Sequence, residues 1–115
     1  MVRKTKPIRW IKAARKDLEA FPAAARESVL NALTVVAEGG FPTTAKPMKG
    51  LGGGVYEIAL PFRGDAFRAV YTLQFADALY VVHAFQKKSR SGRKTDLADI
   101  DLVRARLIRL KEALK

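Results

Sequence analysis

Residues 55–88 constrain the fold most, because they hold three strand-length apolar runs separated only by short turn signals. The signals are Arg63-Gly64-Asp65 and Ala76-Asp77. Connections this short join only antiparallel neighbours, so the stretch predicts a β-meander. In its middle run Phe67, Ala69, Tyr71, Leu73 and Phe75 alternate with Arg68, Val70, Thr72 and Gln74. The first set is expected to face a helical layer, leaving Arg68 on the opposite face. The last run is apolar from Leu79 to Phe85, as expected of a strand that is central or covered on both sides.

The flanking segments supply the helices. Ile8 to Ile11 reads as a short strand, and Ala13 to Phe21 as a helix with Ala14, Leu18 and Phe21 on one side. Pro22 is expected to end that helix and open the next, which runs from Ala23 to Glu38 with Val29, Leu30, Leu33, Val36 and Ala37 as its stripe. Gly39-Gly40 supplies the stop. Residues 41–54 read as a long loop whose Gly52-Gly53-Gly54 run fits no phosphate-binding spacing and precedes a strand. A third helix is expected from near Asp96, with Leu97, Ile100, Val103, Leu107, Leu110 and Leu114 recurring at helical spacing. Asp96, Asp99 and Asp101 come early in it, and Arg104, Arg106, Arg109 and Lys111 late. The predicted fold is α+β over a single domain, residues 1–115. An antiparallel twisted sheet in β-α-α-β-β-β-α order carries a helical hairpin on one face and a C-terminal helix beside it.

Composition narrows the function. Without cysteine there are no disulfides or thiolate metal sites, and one histidine argues against a His-based metal centre. No cofactor or metal is expected. No run approaches the roughly 18–20 apolar residues of a membrane span, and Arg9 interrupts the only apolar stretch near the N-terminus. A soluble, unexported, cytoplasmic protein without membrane partners is expected. Twenty-two Lys and Arg against eleven Asp and Glu give +11. The excess is clustered. Residues 1–16 and 86–94 contain many cations and no acid, which points to a polyanionic partner or to an acidic protein.

The predicted element order, with Tyr-Glu-Ile-Ala-Leu at 56–60, Phe-Arg-Ala-Val-Tyr at 67–71 and Val-Val-His-Ala-Phe-Gln-Lys-Lys-Ser at 81–89, resembles the RelE/ParE toxin superfamily. Within it the sequence is most similar to the phage-derived, HigB-like branch. The resemblance implies the toxin of a type II toxin–antitoxin pair, a ribosome-dependent mRNA interferase that cuts RNA through its 2′-OH without a metal. It implies mRNA, the ribosome and a cognate antitoxin as partners, the antitoxin often carrying a helix-turn-helix domain. ParE-like members share the fold but inhibit gyrase, and a non-catalytic member that binds only antitoxin or nucleic acid is a further alternative.

Such cleavage needs a base for the 2′-OH, cations for the phosphorane charge and an acid for the leaving oxygen. Arg68 matches the arginine that RelE-like nucleases place in the middle strand on the scissile phosphate, a role suited to a bidentate guanidinium. The plainer reading pairs it with Glu57 on an exposed sheet face. Lys87 and Lys88 fall where the family carries basic site residues, Lys88 at the matching arginine position. Glu57 stands where RelE has a lysine, and Ala59 replaces a second basic residue. Either Glu57 is the base, or the base comes from Lys46 or Lys49, or catalysis is weak. Lys46, Lys49, Arg90, Arg93 and Lys94 are candidate RNA contacts. The chain also lacks the terminal aromatic or histidine that some relatives use. His83 is expected to be a core histidine satisfied by a hydrogen bond, and Tyr56 and Tyr71 to be packing residues.

Overall fold

A computed structural model describes residues 5–62, 65–88 and 95–115, with Phe62, Asp65 and Lys88 described by their backbone alone. The elements are β1 (Ile8–Trp10), α1 (Lys12–Glu19), α2 (Ala23–Ala37), β2 (Ala45–Pro47), β3 (Val55–Phe62), β4 (Asp65–Thr72), β5 (Leu79–Lys88) and α3 (Leu97–Ala113). The predicted meander is β3-β4-β5, all antiparallel. Its first turn, at residues 63 and 64, lies outside the described residues.

Two strands extend the sheet to the order β1-β5-β4-β3-β2. β1 joins β5 in parallel, with Ile8 opposite Leu79 and Trp10 opposite Val81, so one edge departs from the antiparallel pattern. β2 arises inside the segment expected to be loop, pairing Lys46 with Glu57. Its Ala45 is buried, which draws the segment onto the sheet although Pro47 and the glycines beyond it give no strand signal.

The sheet is covered on both faces. On the first, Ala14 and Leu18 of α1 and Val29 and Leu33 of α2 pack on Ile58, Phe67, Ala69, Tyr71, Leu79 and Val81. On the second, Val103, Leu107 and Leu110 of α3 pack on Val55, Val70, Tyr80 and Val82. α3 thus lies across the face opposite the hairpin rather than beside it. Burial on both faces explains why β5 is apolar at consecutive positions. Phe75 departs from the predicted alternation and packs with the α3 cluster, because β4 ends at Thr72 and the chain turns there, Gln74 N donating to Thr72 Oγ1 at 3.1 Å.

Helix boundaries follow local chemistry. Pro22 is the N-cap of α2 rather than its first helical residue. Beyond the C-cap Glu38, Gly39 adopts a φ of 92°, the left-handed stop expected of glycine. At Gly40 a Cβ would fall 2.8 Å from Val35 Cγ1, so a side chain there would require Val35 to shift. Among the described residues no helix is long and apolar enough to cross a membrane.

Candidate functional site

The α3-facing side of the meander gathers the charged residues singled out in the sequence. Arg68 sits opposite Ala59, and Glu57 opposite Val70, which makes Arg68 and Glu57 diagonal neighbours on one face. Lys87 pairs with Ala66, two residues before Arg68 on β4, and so shares that face. Lys46, opposite Glu57, extends the row to the sheet edge, where it is exposed.

The geometry is closed. Arg68 Nη1 donates to Glu57 Oε1 at 2.7 Å and to Thr95 Oγ1 at 3.3 Å, while Thr95 Oγ1 donates to Glu57 Oε2 at 2.5 Å. Lys87 Nζ donates to Asp96 Oδ1 at 3.0 Å. Arg68, Glu57 and Lys87 are 6%, 8% and 7% exposed. Arg68 is therefore paired with Glu57, as the plainer reading had it, but buried rather than on an exposed face. Burying these charges is tolerable only because each has a partner. Asp96 is the N-cap of α3, yet its side chain makes no capping bond, its carboxylate being engaged by Lys87.

A guanidinium or an ammonium binds carboxylate and phosphate oxygens through the same charge-assisted bonds, so these two cations have the chemistry to bind either. Thr95 and Asp96 completed this cluster without a sequence signal of their own. Asp96 read as a helix start, and Thr95 is an ordinary residue before one.

The other candidates divide. Lys49 is exposed beyond β2, and among the described residues it makes no ion pair with the cluster. Lys88 ends β5 opposite Asp65, with its side chain outside the described part. Arg90, Arg93 and Lys94 lie outside the described residues. Among the described residues no group of His, Cys, Asp or Glu is arranged to hold a metal.

His83 forms a second cluster. Between Val70 and Tyr71 the register on β5 jumps from His83 to Val81, a bulge that leaves Val82 as the extra residue. His83 Nε2 lies 2.8 Å from Asp99 Oδ1, and Nδ1 lies 3.1 Å from Arg106 Nη1. The tautomer protonated at Nε2 satisfies both, donating to the carboxylate and accepting from the guanidinium. Arg106 also donates to Val82 O at 2.9 Å and lies 3.5 Å from Asp17 of α1. His83 thus ties β5 to α3, with both nitrogens engaged, and its ring stacks on Phe85.

Two tyrosines are perturbed. Burial, with Tyr56 beside it, pushes Tyr71 up to about 12. Tyr80 is also raised, by burial, then by the hydrogen bond it donates to Asp77 and by that carboxylate's charge, with Arg9 opposing. Tyr71 stacks on Tyr56, in keeping with a packing role for both.

This sheet with its hairpin and crossing helix is the RelE-type toxin fold. It is similar to a double arginine-to-alanine mutant of the E. coli toxin RelE in the free state, with a TM-score of 0.57 and 19% identity over 76% of this chain and 86% of that one. It is also similar to the toxin–antitoxin complex RelBE2 from Mycobacterium tuberculosis, with a TM-score of 0.52 and 17% identity over 72% of this chain and 92% of that one. Residues 16–108 match the model of the family described as phage derived protein Gp49-like (DUF891), and the chain belongs to that family. No curated protein matches it.

Proposed function

We propose that the protein is the toxin of a type II toxin–antitoxin system, of HigB-like kind, and acts as a ribosome-dependent, metal-independent mRNA interferase. The observation that carries this reading is the Arg68–Glu57 pair, with Lys87 beside it, on one face of a RelE-type sheet. Arg68 grips the scissile phosphate and stabilises the phosphorane, replacing Glu57 by phosphate oxygens. Glu57 takes the 2′-OH proton once released. Lys87, freed from Asp96, protonates the leaving 5′-oxygen, with Lys88 as the neighbouring alternative. Lys46, Lys49, Arg90, Arg93 and Lys94 hold RNA around the site. The ribosome supplies the substrate geometry that so small a site cannot.

A cognate antitoxin, with a helix-turn-helix domain as in the HigB-like branch, is the proposed protein partner. Similarity to a chain of a toxin–antitoxin complex supports that assignment. The cytoplasm, where ribosomes are, is the proposed compartment.

One observation favours a non-catalytic family member, namely that both described site cations are neutralised by carboxylates. The test is purified protein in a translation reaction, with mRNA 5′ ends mapped by primer extension and a gyrase supercoiling assay run at the same dose. New ends that require ribosomes support the interferase. Intact transcript with inhibited gyrase transfers the assignment to a ParE-like action, and intact transcript with active gyrase to a binding protein.

A further inference from the structure

The basic leader noted in the sequence finds no use in the site above. Its helical part, Lys12, Arg15 and Lys16 of α1, lies at spacings of three and four, on one exposed face. Among the described residues none of the three makes an ion pair, and neither does Arg9 on β1. The acids of α1 do not compensate them. Asp17 is turned toward Arg106 and His83, and Glu19 stands exposed without an ion pair to Arg15 or Lys16. Like charges four apart oppose helix formation, as do cations in a first turn that holds no acid. The fold alone gives no reason for this arrangement.

We propose that the outer face of α1 docks the phosphate backbone of a nucleic acid, as a surface separate from the Arg68 cluster. The rest of that face is Ala13, Glu19 and Ala20, so it offers no large apolar side chain. A protein interface needs buried apolar anchors, and a membrane-surface helix needs an apolar face. A phosphate backbone needs only accessible cations. The surface is also distinct in position. α1 covers the hairpin-facing side of the sheet, with Lys16 beside a groove that Asp17, Phe21, Phe67, Phe85 and Gln86 also line, whereas Arg68 and Lys87 lie on the α3-facing side.

The proposal stands apart from the nuclease reading, and its test separates them. The full chain with Lys12→Ala, Arg15→Ala and Lys16→Ala together is titrated against a short fluorescent single-stranded RNA over a range of KCl, using anisotropy. Losing three phosphate contacts should weaken binding about tenfold or more at low salt and flatten the log–log salt slope by about 2. The thermal midpoint should hold or rise, because repulsion within α1 is removed. The same titration of Arg109→Ala, an exposed cation of α3 outside both surfaces, should keep the wild-type slope. A triple variant that binds RNA with wild-type affinity and slope overturns the proposal and leaves the cleavage test untouched.

Discussion

The two groups of cations differ in what the fold does with them. Arg68 and Lys87 are buried, and each is matched to a carboxylate at 2.7 and 3.0 Å. Lys12, Arg15 and Lys16 are exposed, and no described carboxylate pairs with them. Burial explains the first group, since a charge removed from water must find a partner or lose the fold. Nothing in packing explains the second, which water already solvates. A net charge of +11 therefore hides two kinds of basic residue. One kind is held in fixed geometry and suits chemistry. The other is free and suits long-range attraction.

The largest test of this division is Arg68→Ala, which strands Glu57 as a buried carboxylate and should cost about 3–5 kcal/mol in denaturant unfolding. Glu57→Gln with Arg68→Met removes both charges and should restore most of that loss. If the double variant is as unstable as the single, the pair is not the isolated unit described here. Next in size is alkaline stability. Tyr71 holds its proton to about 12 in the fold, against 10.0 in its ordinary state. Its contribution is whole below pH 10 and falls as pH rises toward 12, because only the unfolded chain has then released the proton. The loss should be about 2–3 kcal/mol. Among the described residues Tyr71 Oη has no hydrogen-bond partner, so Tyr71→Phe should be near neutral at pH 7 and lack that alkaline loss. Smallest, replacing Lys12 and Lys16 by alanine should leave thermal stability unchanged or a few tenths of a kcal/mol higher. A loss above about 1 kcal/mol would mean that these side chains do structural work after all.

Much of the fold was legible because its signals are local. The meander needs only alternation and short turns, and Gly39 stops α2 through its own backbone freedom. The parallel pairing of β1, the three-residue β2 and the bulge at Val82 were not legible, since each depends on partners distant in sequence. Helical spacing gave α3 an apolar stripe of which Val103, Leu107 and Leu110 are buried, but it could not say which face of the sheet they cover. The site was half legible. Glu57, Arg68 and Lys87 stand out as charges in strands, whereas Thr95 and Asp96 reach them only once α3 is docked.

The central claim is that the buried pair is the chemical site, and Arg68→Lys tests it most directly. Lysine keeps a charge beside Glu57, so the fold survives, but it lacks the fork that binds two phosphate oxygens. In a translation reaction with mRNA ends mapped, the variant should sediment with ribosomes as the wild type does and cleave about 10²-fold more slowly. Cleavage at the wild-type rate would contradict the account and leave the Arg68–Glu57 pair as a structural feature of the sheet.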